Sequence, residues 1–468
     1  MAVEIRRLNE ALAAEREARA AAEAENAVLR ARVADLEARL KTDSTNSSKP
    51  PSNDGPAARP RPTRVPTGRS PGGQKGRKGS TLQTVEHPDR VETRRPGRCR
   101  GCGHALAGAP AASIEARQVF DLPEQIRLET VEHRIESVAC PCCGAVTKAD
   151  APPEARRQVQ YGPRVKALLV CLVAAHHLPL KRTAEAFAAI LGAPISPATV
   201  LRAVQEAGGT AGRLFGPVAR RALAAAATAH ADETSLRVAG SKMWVHSFST
   251  ALWTWLQAHP RRGRDAMDEI GILPLFHGVL GHDCWAPYDT YGQFEAHQLC
   301  VAHVLRELQA VMDDHAHEDG QWCWAEQAAD ALRLAVHDPA RAAWARARLL
   351  AAAACAGELD LEPHPGSRQA MRHTALARRL RTRAGDYLYF TTPEGAARGV
   401  EPTNNAAERE IRMVKVKQKI AGCMRTETGA QQFLALRSYI ATARKHGTAV
   451  LEALASLTSP NPWLPAIP

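Results

Sequence analysis

The period of the sequence changes at Ala225. Before it, apolar residues recur at helical spacing; after it, "TAHADETSLRV", "KMWVHSFST" and "LWTWLQAH" alternate, separated only by "AGS" and "TA". Connections this short cannot hold a crossover, so the three runs predict adjacent antiparallel strands. A sheet must therefore be built here, and its first strand carries Asp232 inside an otherwise apolar run. A carboxylate in such a place is costly unless it is paired or holds a cation.

Downstream, "DAMDEIGILPLF" predicts a helix, "HGVLGHDCWAPYDTY" a fourth short strand ending at Asp283, and "EAHQLCVAHVLRELQAVMDDH" another helix. This order predicts an RNase H-like α/β/α core, whose mixed sheet presents acids from its first and fourth strands side by side. Asp289 is a rival for the second acid, but Asp283 holds the strand end. A third carboxylate must come from a later helix. "TNNAAEREIRMVKVKQKIAGC", residues 403–423, offers Glu408, followed by Arg409, Arg412, Lys415, Lys417 and Lys419. On a solvated face Glu408 and Arg412 would form an ordinary i,i+4 pair. As a metal ligand, Glu408 would complete an acid triad, with the cations beyond it along a DNA backbone. Three carboxylates at one site repel each other unless cations are present; two Mg2+ (or Mn2+) about 3.5 to 4 Å apart would activate water and steady a leaving oxygen.

The front half is organised differently. From Ile5 to Leu40 the apolar spacing alternates three and four, with Ile5, Leu12, Asn26, Val33 and Leu40 in one seam position. Asn26 is the buried polar residue that fixes register in coiled coils, and Glu15 and Arg19 interrupt the middle. Self-association through residues 1–42 is expected. Residues 43–85 are rich in Pro, Gly, Ser and Arg and predict a basic flexible linker. The chain carries 61 Lys and Arg against 49 Asp and Glu, and between Lys49 and Ser80 eight basic residues face a single Asp54. Such an excess favours a polyanion such as nucleic acid over a small metabolite.

Two C-x-x-C-G turns follow, "CRGCG" and "CPCCG". In each, two thiolates on one tight turn can reach the same ion, while the glycine lets the backbone fold back. Cys99, Cys102, Cys140 and Cys143 thus predict a zinc ribbon over 86–150 with one structural Zn2+; Cys142 lacks the matching spacing. "RQVFDLP" and "IRLETVEHRIESV" between them predict strands. Over 156–212 three helical patterns, with Gly192 as a stop and Ser196-Pro197 as a start, predict a helix-turn-helix that carries Arg202 toward a groove. The N-terminal "MAVEIRRLNEALAAERE" lacks a secretory pattern, and runs such as "VKALLVCLVAAHHLPL" are too short and interrupted for a bilayer. A reduced cytoplasmic setting without a membrane role is expected.

Taken in order, these blocks resemble the DDE transposases of the insertion sequence 66 family over nearly the whole chain. The resemblance rests on "DSTNSSKPPSNDG", "GGQKGRKG", both knuckles, "DETSLRVAG", "RRGRDAMDEIGILPLFHGVLGHDCWAPY", "LCVAHVLREL" and "TNNAAEREIRMVKVKQKIAGCMRTETGAQQF". It implies metal-dependent cutting at the ends of a mobile element and joining of the freed 3' hydroxyls to target DNA, in a bacterial cell at the nucleoid. Asp232, Asp283 and Glu408 match the family's triad. The implied partners are terminal inverted repeats, target DNA, a second copy of the chain and accessory proteins of the same element. Ser235 stands where family members often have proline, and "GGQKGRKG" replaces the commoner "GGQPGHKG"; neither touches the triad.

The catalytic core is expected in two parts, 225–315 and 400–446, around a mostly helical insertion at 316–399, with 447–468 as a tail. His297, Cys300 and His303, expected on one helix, drift across its face and lack a fourth ligand, so support of the site or DNA contact is the expected role of His303 and Arg306. Trp244, Trp253, Trp255 and Trp285 are expected in the sheet core. A DNA-binding regulator or domesticated transposase, without catalysis, is the competing reading; a nuclease that hydrolyses without joining is a third.

Overall fold

The computed structural model describes residues 2–40, 83–124, 126–152, 155, 157–314, 322–356, 368–459 and 461–467. The expected linker lies outside them up to residue 82.

Helix α1 (Ala2–Leu40) is continuous, and Leu12, Leu29, Val33 and Leu36 on it are exposed. Asn26 Nδ2 donates to Ala22 O, one turn back, at 3.3 Å. Strands β1 (Ser137–Ala139) and β2 (Val146–Lys148) pair antiparallel around the second cysteine turn. Of the two runs expected as strands ahead of it, only the last residues of the second, in β1, join a ladder among the described residues. The remainder is mostly exposed, and an isolated strand with nothing to pack on has little to hold it.

Helices α2 (Pro163–Val170), α3 (Leu180–Leu191), α4 (Pro197–Thr210) and α5 (Gly216–Ala224) follow. Gly192, at φ 62°, ends α3, and Ser196 accepts the Thr199 N–H to cap α4. The sheet is then laid down. β3 (Thr228–Val238), β4 (Ser241–Ser249) and β5 (Thr254–His259) are antiparallel neighbours; after α6 (Arg264–Ile270), β6 (Val279–His282) and β7 (Ala296–Leu299) join the free side of β3 in parallel. The order is β5-β4-β3-β6-β7. The segment from Glu295 was expected to be helical from its start; instead it begins as β7, paired with β6, and α7 (Val301–Asp314) starts after Cys300. Four residues are too few to show their own period.

Helices α8 (Trp324–His337), α9 (Ala342–Cys355), α10 (Arg368–Thr382) and α11 (Ala384–Tyr387) gather with α7 around Leu308, Leu332, Leu349 and Leu380. After α12 (Pro393–Ala397), the long α13 (Asn405–Ala421) and α14 (Glu427–Lys445) return to the sheet, followed by α15 (Val450–Ser456). Leu236, Val245 and Leu256 on one face meet Val414, Phe433 and Leu434. On the other face Phe248 shares a core with Phe187, Val200, Phe215 and Tyr439, so α3 to α5 are continuous with the sheet. At Gly208 a Cβ would stand 2.7 Å from Gln432 Cβ, which locks α4 against α14. No described helix is long and apolar enough to cross a membrane.

Candidate active site

The parallel pairing of β3 and β6 sets Thr228, Ala229 and His230 opposite Val279, Leu280 and Gly281. Two residues further along, the same register brings Asp232 beside Asp283, which follows the last residue of β6. Gly281 permits this pairing, since a Cβ there would lie 2.5 Å from His230 Nδ1. Asp232 Oδ1 accepts the Glu233 N–H at 2.8 Å, and Asp283 Oδ1 accepts the Trp285 N–H at 3.1 Å. Between those last two, Cys284 takes φ 70°, a rare conformation for a residue with a side chain, and its N–H bonds His282 Nδ1 at 3.2 Å.

Glu408 arrives through its neighbour one turn earlier. Asn404 is fully buried at the N-cap position of α13, yet its side chain leaves the helix uncapped. It reaches β3 instead: Nδ2 donates to Ala231 O at 2.8 Å and Oδ1 lies 3.2 Å from His230 Nδ1. Its backbone N–H bonds Cys300 Sγ at 3.1 Å, and its carbonyl accepts the Glu408 N–H at 3.2 Å. Asn404 therefore pins the first turn of α13 to the strand that carries Asp232. Sequence reasoning missed it; the available signal was a cap-type residue ahead of an acidic first turn.

The acids feel one another. Burial holds the Asp232 carboxyl well above the usual range, and Glu233, Asp283 and Glu408 push it further. Burial also raises Asp283, against Arg262 and Arg306. Glu408 is raised by burial and by Asp283, while Arg306 and Arg412 oppose. Buried carboxyls whose ionised forms are disfavoured, Asp232 by both Asp283 and Glu408, fit divalent cations. A fourth carboxyl was not foreseen. Glu233 is buried and pushed up to about 7, chiefly by burial; the Tyr288 hydroxyl donates to its Oε1, and Arg262 Nη2 stands 3.3 Å from Oε2. Arg262 in turn lies over Trp244 and Trp285, 4.9 and 4.0 Å from the ring centroids. Of the four tryptophans expected in the core, Trp253 and Trp255 are there, whereas Trp244 and Trp285 are half-buried around this guanidinium.

From residue 158 to 432, more than half of the chain and all of this cluster, the sequence matches the Transposase IS66 family. The chain belongs to that family. Residues 2–83 also match a family of unknown function (DUF6444). No curated protein matches the chain.

An IS66 transposase acts on DNA, and the expected DNA contacts take up unequal positions. Arg202 on α4, and Arg409, Arg412 and Lys419 on α13, are exposed. Lys415 is tied to the sheet, its Nζ donating to Ser235 O at 2.6 Å and to Ser235 Oγ at 3.1 Å, and half-buried Lys417 lies 6.0 Å from the Phe433 ring centroid. Among the described residues, the basic groups within 4.0 Å of Glu408 are not Arg412 but His303 Nδ1 at 3.4 Å and Arg306 Nη2 at 4.0 Å, both to Oε1; burial, with Arg306 beside it, lowers His303 to about 3 and keeps it neutral. Asp289 pairs with Arg383 at 2.9 Å. His297 is on β7, its Nδ1 2.9 Å from His282 Nε2, and Cys300 lies between β7 and α7, so of the three residues expected on one helix only His303 is helical.

Both cysteine turns of this IS66 transposase are formed. Cys99 N–H bonds His104 O and Gly103 N–H bonds Cys99 O; Cys140, Ala145 and Gly144 repeat the pattern, with distances of 2.8 to 2.9 Å. Gly103 and Gly144 take φ 75° and 74°. The N–H groups of Cys102 and Gly101 lower the Cys99 thiol, and those of Cys143 and Cys142 lower Cys140. Among the described residues, the groups of three or more ligand atoms within 4.8 Å are His282 with Asp289 and His297, and Cys300 with His303 and Glu408; neither the four knuckle sulfurs nor the carboxyls of Asp232, Asp283 and Glu408 form such a group.

Proposed function

We propose that the chain is a DDE-type transposase of a bacterial insertion sequence, which cuts the ends of its element and joins the freed strands to target DNA through Asp232, Asp283 and Glu408. One observation carries this reading: the parallel register sets Asp232 beside Asp283, Asn404 ties the first turn of α13 to the same strand, and the Asp232 carboxyl is raised by both Asp283 and Glu408. The set suits two Mg2+ (or Mn2+), which when bound would activate the attacking oxygen and neutralise charge on the leaving one. The protein fixes the carboxyls through the Glu233 and Trp285 N–H groups and through Asn404. Arg262, held between two indoles, keeps positive charge beside them. Arg409, Arg412 and Lys419, exposed along α13, are placed for the phosphates of a DNA end.

Around this centre, 1–42 is read as a coiled coil that joins protomers, supported by its uncovered leucines. Residues 86–150 are read as a zinc ribbon, supported by two turns whose N–H groups already favour thiolates. α3 and α4 are read as a helix-turn-helix that shows Arg202 to DNA. The test is strand cleavage and transfer by full-length protein on DNA carrying the element's inverted repeats. The parent should cut and join in Mg2+, and Asp232→Ala should bind the ends without cutting. Binding without cutting by the parent would favour the non-catalytic regulator.

A further inference from the structure

Cys300, His303 and Glu408 bring a sulfur, an imidazole nitrogen and a carboxylate oxygen within 4.8 Å of one another. They come from the residue after β7, the first turn of α7 and the first turn of α13. We propose that this trio binds a divalent transition ion of the zinc class, at a site separate from the hard-cation site of Asp232 and Asp283 but sharing Glu408 with it.

His303 Nδ1 and Glu408 Oε1 are both buried and 3.4 Å apart, yet neither has a hydrogen-bond partner. Two buried polar atoms left facing each other in this way are costly, and a cation between them and the nearby sulfur satisfies both. Cys300 completes the donor set. Its sulfur accepts the Asn404 N–H at 3.1 Å and is 2 % exposed. Burial pushes the thiol up to about 11 in spite of the neighbouring N–H groups, so the empty site holds it protonated and a bound cation would displace that proton.

The donor types select the ion. Mg2+ and Ca2+ take oxygen ligands, whereas a set of one sulfur, one imidazole and one carboxylate suits Zn2+ and leaves a fourth position open. Arg306 is the resting counter-charge: its Nη2 is 4.0 Å from Glu408 Oε1, but its Nε is buried without a partner, so it is not anchored there. An ion bound to Oε1 replaces it and holds Glu408 in place, so occupancy of the soft site sets how the third carboxylate is presented to Mg2+. That link to catalysis rests on the triad reading; the site itself does not.

The experiment measures zinc per chain in full-length protein loaded with Zn2+ and dialysed. Cys300→Ser and His303→Asn should each carry one equivalent less than the parent, while Asp232→Asn carries the parental amount. Zinc held by the cysteine knuckles is common to all and cancels. Equal zinc in the parent and both variants overturns the proposal, as does loss in Asp232→Asn, which would assign the ion to the acid triad. If Cys300→Ser does not fold by circular dichroism, the Co2+-loaded His303→Asn protein decides: loss of part of the parent's cobalt absorption supports the site, and an unchanged spectrum overturns it. Cleavage by the Asp232 variants reports on the triad separately.

Discussion

The cysteine knuckles and the acid cluster both hold side chains of the types that ligate metals, and they are built in opposite ways. Each knuckle closes on itself within one tight turn, and its glycine and N–H groups are set by adjacent residues. The acid cluster has no such local closure: Asp232 and Asp283 meet through strand register, and the bond that delivers Glu408, from Asn404 to Ala231, spans 173 positions. A motif thus reports a turn, whereas a site assembled from afar depends on the whole sheet. Local sites should tolerate damage elsewhere in the chain, and the assembled one should not.

The most severe break is Asp232→Ala. Mg2+-dependent cleavage should fall by about 10^3-fold or more, the scale on which loss of one member of a catalytic unit is felt. DNA-end binding should persist, and cleavage near the parental rate in a gel assay would sink the triad. Next, Asn404→Ala tests assembly directly. Freeing the turn that carries Glu408 should lower cleavage on the order of 10–100-fold, the scale on which loss of a group that orients a metal ligand is felt, and the stranded Ala231 carbonyl should cost roughly 1–3 kcal/mol in denaturant melts. Parental cleavage would show that Glu408 is placed without the clamp. Gly281→Ala forces a methyl against His230 and should cost about 1–3 kcal/mol; an unchanged melting temperature would contradict the tight β3–β6 register.

A pH experiment sharpens the same contrast. Glu233 has a folded value of about 7 against an ordinary 4.5, and Asp232, Asp283 and Glu408 are shifted the same way. A raised acid binds more protons folded than unfolded, so stability present at low pH is lost as pH rises through about 7. In metal-free melts between pH 5 and 8, Glu233→Gln should lose less stability with rising pH than the parent; parallel curves would refute the burial of Glu233. The smallest effect is expected at the local site. Cys102→Ser should release the knuckle zinc yet move the main melting transition by no more than about 0.5 kcal/mol.

The same division explains what was legible. Alternation after Ala225 shows β3 to β5, because each strand declares its own period, and an acid inside an apolar run draws the eye to Asp232. β7 declares nothing in four residues. Glu233, Arg262 and Asn404 are ordinary polar residues until Tyr288, Trp244, Trp285 and Ala231 are placed beside them. Lys415 shows the converse: it belongs to a cationic series, but the fold turns its ammonium onto Ser235. Charge patterns tell which side chains are cationic, and only packing tells which of them remain outside.

The distance along the chain between Ala231 and Asn404 also has a consequence in time. At a synthesis rate of about 5–20 residues per second, roughly 10 to 35 seconds pass between the two leaving the ribosome. During that interval Ala231 and His230 wait without the Asn404 side chain that bonds them. On the triad reading, a nascent chain would carry both aspartates before the helix that brings the third acid exists, so cutting would have to wait for α13 to be made.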